Sequence, residues 1–114
     1  MLTTLKTDYP VDTGAVVLTI KIGEGQLGTS VVRLGETQLD IGEIDVLEIG
    51  QGPDLAGQVL FIKTVVADVN DNTNHTSVSY ELQGGKADKV FNLDGTADEE
   101  GGSVVYRASF SLKS

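Results

Sequence analysis

The sequence predicts an all-β fold: a single antiparallel β-sandwich of about seven strands, with an immunoglobulin-like or jelly-roll layout. Apolar and polar residues alternate along several short segments, as half-buried antiparallel strands require. Glycine-rich turn signals separate these segments, and no helical period of ten or more residues persists between the glycines. A small barrel is the alternative, because short strands of this kind can also close on themselves.

The alternation is clearest at residues 16–22, 76–82 and 104–112. In the first segment, for example, Thr19 and Lys21 are flanked by apolar residues. A strand with this pattern buries one row of side chains and leaves the other row in water. We therefore expect one shared core built from the apolar rows of all three segments: Val16, Leu18, Ile20, Val78, Tyr80, Leu82, Val104, Tyr106, Phe110 and Leu112.

Residues 59–69 predict a different kind of strand, because they are apolar on both faces. Leu60 and Ile62 share one face, whereas Phe61 and Val65 share the other. Such a strand is either covered on both sides within the protein or exposes an apolar patch. In the second case, a partner is expected to cover that patch.

Shorter strands are predicted at residues 27–34, 44–49 and 90–93. Within 44–49 the alternation slips between Val46 and Leu47, which predicts a β-bulge at that point.

The polar segment 70–75 lies between two strong strands and predicts a hairpin. In this hairpin, residues 58–68 would pair antiparallel with residues 76–84. No linker or repeat interrupts the chain, so residues 1–114 are expected to form one domain.

The formal net charge of −9 and the absence of cysteine restrict the possible functions. A field of this sign repels nucleic-acid backbones and anionic membranes. The eight basic residues are scattered along the sequence without a basic stripe, so neither nucleic acid nor membrane is an expected partner. The first residues lack the apolar core of a signal peptide, which favours an intracellular, soluble protein.

The sequence does not predict an enzyme. Its one histidine, His75, lies in the polar loop, and the nearby Ser77 and Ser79 occupy the polar positions of a strand. A nucleophilic triad also needs an oxyanion hole and a defined pocket, and no motif indicates either. Paired carboxylates of a hydrolase are a weaker alternative.

The most specific local signal is the segment that contains Asp68, Asn70, Asp71 and Asn72. Its Asp-x-Asn-Asp-Asn pattern resembles the calcium-binding linker motif of cadherin repeats. The resemblance implies that these four residues provide oxygen ligands for Ca²⁺. The other interpretation is turn formation, because Asn and Asp readily form Asx turns. The acidic loop 94–100 would add carboxylates if it lay at the same end of the protein.

We therefore expect a non-enzymatic protein that acts through protein–protein contact or self-association, as a structural subunit of a larger assembly. The alternative is a calcium-dependent binding or adhesive module that uses Asp68, Asn70, Asp71 and Asn72. Apart from possible Ca²⁺, no cofactor is predicted.

Overall fold

The computed structural model describes residues 2–98 and 101–114, which form two β-sheets packed face to face. Their elements, in chain order, are β1 (Leu2–Pro10), β2 (Ala15–Ile22), β3 (Leu27–Leu34), β4 (Thr37–Gly42), β5 (Val46–Gln51), the one-turn helix α1 (Gly52–Leu55), β6 (Val59–Ala67), β7 (His75–Gln83), β8 (Lys89–Thr96) and β9 (Ser103–Lys113). Among the described residues, no helix is long and apolar enough to span a membrane.

The strands are distributed over a five-stranded sheet and a four-stranded sheet. The first has the order β1-β9-β6-β3-β4, and the second has the order β5-β2-β7-β8. Neighbouring strands run antiparallel throughout, except that β1 and β9 run parallel. The predicted all-β sandwich is therefore confirmed, and its two sheets remain separate layers.

The core lies between the two sheets and contains every residue that the alternation assigned to it. All ten predicted core residues are buried. Burial of apolar side chains stabilises by roughly 25 cal/mol per Å² removed from water, so this layer provides most of the favourable free energy. Phe110 lies at its centre, where its ring contacts those of Phe91 and Tyr80 at centroid distances of 5.0 and 6.4 Å.

The predicted hairpin between residues 58–68 and 76–84 is wrong. Strand β6 lies in the five-stranded sheet between β3 and β9, whereas β7 lies in the four-stranded sheet between β2 and β8. Both hydrogen-bonding edges of β6 are therefore already occupied. The segment between β6 and β7 crosses from one sheet to the other instead of turning back within a sheet.

Two strands escaped prediction, and the bulge is displaced. Strands β1 and β4 both lie at edges of the five-stranded sheet, where only part of the alternating row is buried. The register shift in β5 lies opposite Val16 and Val17, between Glu48 and Gly50. It is not at Val46, because that residue begins the strand.

The core also contains a hydrogen-bonded group of hydroxyls. The Tyr80 hydroxyl donates to Thr64 Oγ1 at 2.6 Å, and Thr64 Oγ1 lies 2.8 Å from Ser30 Oγ. Desolvation by burial raises the pKa of Tyr80 to about 12, against the smaller opposing effect of the Thr64 hydrogen bond. The phenol is therefore held in its neutral form, and its polar atom has a partner inside the core.

Candidate functional site

The outward side of the five-stranded sheet forms the most distinctive surface of the protein. Strand pairing arranges its outward-pointing side chains in rows that cross the sheet. We call the three central rows the basic face: Leu2, Val105, Val65 and Thr29; Thr4, Arg107, Lys63, Val31 and Ile41; Lys6, Ser109, Phe61, Arg33 and Gln38.

Four cations lie on the basic face, and its three rows contain no carboxylate. Lys63 is directly opposite Arg107, while Arg33 and Lys6 occupy the neighbouring row. These four are half of the eight basic residues of the chain. Within the described residues the one ion pair is between Lys113 Nζ and Asp8 Oδ2, 3.0 Å apart at the margin of this face. The four central cations therefore have no ion-pair partner in that part of the chain.

Apolar side chains lie between these cations. Phe61 is 43% exposed and Ile41 is 62% exposed, and Val31 is half-buried between them. A groove of about 410 Å³ opens beside Phe61, with Lys63 and Arg107 on its rim and a largely apolar lining. Monomeric proteins seldom combine exposed apolar groups in this way unless the surface binds something.

Sequence reasoning found only half of this surface. It predicted the second apolar face of residues 59–69, and Phe61 and Val65 do point away from the core. It missed the basic character, because Lys6, Arg33, Lys63 and Arg107 are far apart in the sequence. The signal was present: each occupies an outward position of its strand. Only the strand order shows that these positions share one surface.

The outward side of the four-stranded sheet has the opposite charge. We call it the acidic face: Val17, Thr19, Lys21, Val46, Glu48, His75, Ser77, Ser79, Glu81, Gln83, Val90, Asn92, Asp94 and Thr96. Three carboxylates here outnumber the single cation, Lys21. Val46 and Val90 are each more than half exposed, and Val90 is directly opposite Glu81.

The predicted calcium ligands lie in the segment between β6 and β7, where Asp68 is 5% exposed. Gln26, also buried, donates from Nε2 to Asp68 Oδ1 at 3.0 Å, and its Oε1 accepts from the backbone N–H groups of Val69 and Asn70. Asp68 Oδ2 has no hydrogen-bond partner within the described residues. Gln26 is a contributor that sequence reasoning missed, because its glycine-rich turn lies about 40 residues away.

The other three predicted ligands are not drawn together in the same way. Asn70 Oδ1 accepts from the backbone N–H of Asn72, which is an Asx turn, and Asn70 Nδ2 donates to the carbonyl of Glu24. Asp71 and Asn72 are exposed. Where the structure describes the chain, no three His, Asp or Glu side chains form a cluster suited to a metal ion.

The acidic loop does lie at the same end of the protein as this segment. The Asp68 N–H donates to the carbonyl of Gly102, and the Ala97 N–H donates to that of Asn74, each at 2.9 Å. Of the loop's carboxylates, those of Glu99 and Glu100 lie outside the described residues.

The three residues considered for catalysis lie on β7, on the acidic face. His75 Nδ1 is 3.4 Å from Thr96 Oγ1, and the Ser79 hydroxyl donates to Asn92 Oδ1 at 2.6 Å. The Ser79 hydroxyl is thus engaged by an amide side chain and not by the imidazole. Ser77 lies between them, opposite Asp94.

Comparison with protein-family models, with curated proteins and with solved structures gave no match. The function is therefore inferred from the two faces and the loop contacts.

Proposed function

We propose that the protein is a non-enzymatic binding module, a subunit of a larger assembly, whose basic face docks onto an acidic, partly apolar surface of a protein partner. The observation that supports this most directly is the direct pairing of Lys63 with Arg107, with no carboxylate in the row. Like charges directly opposite on neighbouring strands destabilise a sheet. A carboxylate supplied by a partner would relieve that repulsion.

The apolar part of the basic face favours a protein over a polyanion. Nucleic acid is bound mainly through its phosphates, and a net charge of −9 opposes that approach. The groove beside Phe61 offers instead an apolar floor with cations at its rim. This combination suits an apolar side chain flanked by Asp or Glu, because arginine binds a carboxylate through two parallel hydrogen bonds.

The size of the basic face suits a modest interface. Five strands about 4.8 Å apart and eight or nine residues long cover roughly 20 by 28 Å. That is on the order of 560 Å², close to the ~600 Å² per partner at the lower end of stable interfaces. A single face can therefore support specific binding.

Fluorescence anisotropy with a synthetic peptide that alternates Glu with Leu and Phe tests this function. We expect the peptide to bind, and the double variant Lys63→Glu/Arg107→Glu to weaken binding at least about tenfold. The matched control is Lys86→Glu/Lys89→Glu, which changes the net charge equally at exposed positions outside the basic face. That control should bind as the unmodified protein does.

Two further probes complete the test. A peptide with Lys in place of Glu should not bind. If a single-stranded DNA probe bound more tightly than the acidic peptide, the basic face would be a nucleic-acid site and the proposal would fail. Equal loss of binding in both double variants would also contradict it, because net charge and not the basic face would then be responsible.

The second candidate function is a calcium-dependent binding module, and the unpartnered Oδ2 of buried Asp68 favours it. The contact between the two loops would bring the acidic loop towards that oxygen. Calcium prefers six to eight oxygen ligands, several of them charged. Because Asn70 already forms an Asx turn and Asp68 Oδ1 already accepts from Gln26, we expect any binding to be weak.

Isothermal titration with CaCl2 tests this candidate. We expect a dissociation constant above about 10⁻⁵ M, which is weaker than the sensor range. Tighter binding that Asp71→Ala removes, and that the distant Asp54→Ala retains, would make the calcium module the better proposal.

A further inference from the structure

We infer that the partner of the basic face is the acidic face of a second copy of this chain, so that copies stack head to tail. This inference rests on the proposed function, since it uses the same basic face and names its occupant. The two surfaces lie on opposite sides of the sandwich, one on each sheet. Each copy would therefore contribute a different surface to each contact.

Charge complementarity is the first support. The basic face has four cations and no carboxylate in its three rows, whereas the acidic face has Glu48, Glu81 and Asp94 against Lys21. Complementary potentials of this kind determine which surfaces meet and in which register. Two basic faces, or two acidic faces, would repel each other, so a symmetric dimer through either face is disfavoured.

The apolar groups of the two faces provide the second support. Phe61 and Ile41 are exposed among the cations, and Val46 and Val90 are exposed among the carboxylates. Val46 is one strand away from Glu48's partner Val17, and Val90 is the direct partner of Glu81. On both faces, then, apolar groups adjoin charges, as expected where an interface buries apolar contacts within a charged surround.

The arrangement makes the contact heterologous. A heterologous contact closes into a ring or continues as an open stack, according to the rotation between copies. The net charge of −9 on each copy opposes association at long range. At about 0.15 M salt the Debye length is about 8 Å, so the overall repulsion is screened while charges in direct contact still interact.

A charge-swap experiment read by sedimentation velocity tests the inference. The first variant, Lys63→Glu/Arg107→Glu, makes the basic face acidic; the second, Glu48→Lys/Glu81→Lys, makes the acidic face basic. We expect the unmodified protein to exceed the 12.0 kDa monomer mass increasingly with concentration. Each variant alone should stay monomeric, and an equimolar mixture of the two should associate again.

Non-specific attraction does not explain such a result. Each double substitution changes the formal charge by four units from −9, so both variants remain net negative. The control mixture carries matched changes outside both faces, Lys86→Glu/Lys89→Glu with Asp12→Lys/Asp54→Lys. Its members should associate alone as well as together.

Two results would overturn the inference. One is a monomeric unmodified protein up to about 1 mM, and the other is a charge-swap mixture that stays monomeric. If the peptide of the preceding section still bound, the proposed function would stand and only the identity of the partner would be wrong. Failure of both the peptide and the self-association would remove the proposed function as well.

Discussion

Lys63 on β6 and Arg107 on β9 are direct cross-strand partners, so two cations share one row of the basic face. Replacing Lys63 by Glu would convert this repulsion into an ion pair. We expect Lys63→Glu to raise the free energy of unfolding by about 0.5 kcal/mol, within the 0.2–1 kcal/mol typical of cross-strand pairs. Urea denaturation measures this change.

The same variant should bind the acidic peptide more weakly. A gain in stability together with a loss of binding is typical of a surface kept for function at some cost to stability. Lys63→Gln, which removes the repulsion without forming an ion pair, should give an intermediate stability. If Lys63→Glu lowered stability, Lys63 would be engaged in a favourable contact that the sheet pairing does not show.

Gln26 is predicted to hold the segment between β6 and β7 in place. Gln26→Leu would leave the carboxylate of buried Asp68, and the backbone N–H groups of Val69 and Asn70, without their present partner. Because each buried polar group without a partner costs about 1–3 kcal/mol, we expect a loss of at least about 2 kcal/mol in unfolding free energy.

A double-mutant cycle isolates the contact between Gln26 and Asp68. The variant Gln26→Leu/Asp68→Leu should lose less than the sum of the two single variants, by about 0.5–3 kcal/mol. Strict additivity would show that the two side chains do not depend on each other. Asp54→Leu, an exposed site on α1, is the matched control and should be additive with Gln26→Leu.

Tyr80 predicts a loss of stability at high pH. Its folded-state pKa of about 12 exceeds the ordinary value of 10.0, so folding favours the neutral phenol. This contribution is complete below about pH 10 and is lost as the pH rises through about 12. Urea unfolding at a series of pH values should show that decline.

Tyr80→Phe provides the test of this assignment. The pH dependence between about pH 10 and 12 should become shallower, although Tyr9 and Tyr106, whose pKa values burial also raises, still contribute. An unchanged slope would show that Tyr80 ionises alike in the folded and unfolded states.

The two outward and inward phenylalanines should differ sharply in their contribution to stability. Phe110→Ala opens a cavity in the core and is expected to cost about 3–5 kcal/mol. Phe61→Ala removes a 43% exposed ring from the basic face and is expected to cost less than about 1 kcal/mol. Comparable losses for the two variants would mean that Phe61 is covered by the protein itself.

The fold class and the core could be predicted because each depends on local sequence. Alternation along one strand determines which side chains point inward, and Tyr106 and Phe110 follow it without exception. The pairing of β6 could not be predicted in the same way. Its apolar character on both faces indicates a central position, but only competition among all the strands assigns β3 and β9 as its neighbours.

The candidate surface was even less predictable for the same reason. Arg107 and Lys63 are more than 40 residues apart and meet only because β9 pairs with β6. Likewise, Gln26 reaches Asp68 across two different turns. The residues of the polar segment were identified from their types, whereas their partners depend on the tertiary structure.

The parallel pairing of β1 with β9 determines how the protein would respond to mechanical force. Nine positions of β1 pair in register with β9, from Leu2 with Val105 to Pro10 with Lys113. A force that draws Leu2 and Lys113 apart would slide one strand along the other. The hydrogen bonds between the strands would then resist in shear together, instead of opening one after another. The protein is therefore built to resist tension along its chain, as a subunit strung between two attachments would have to.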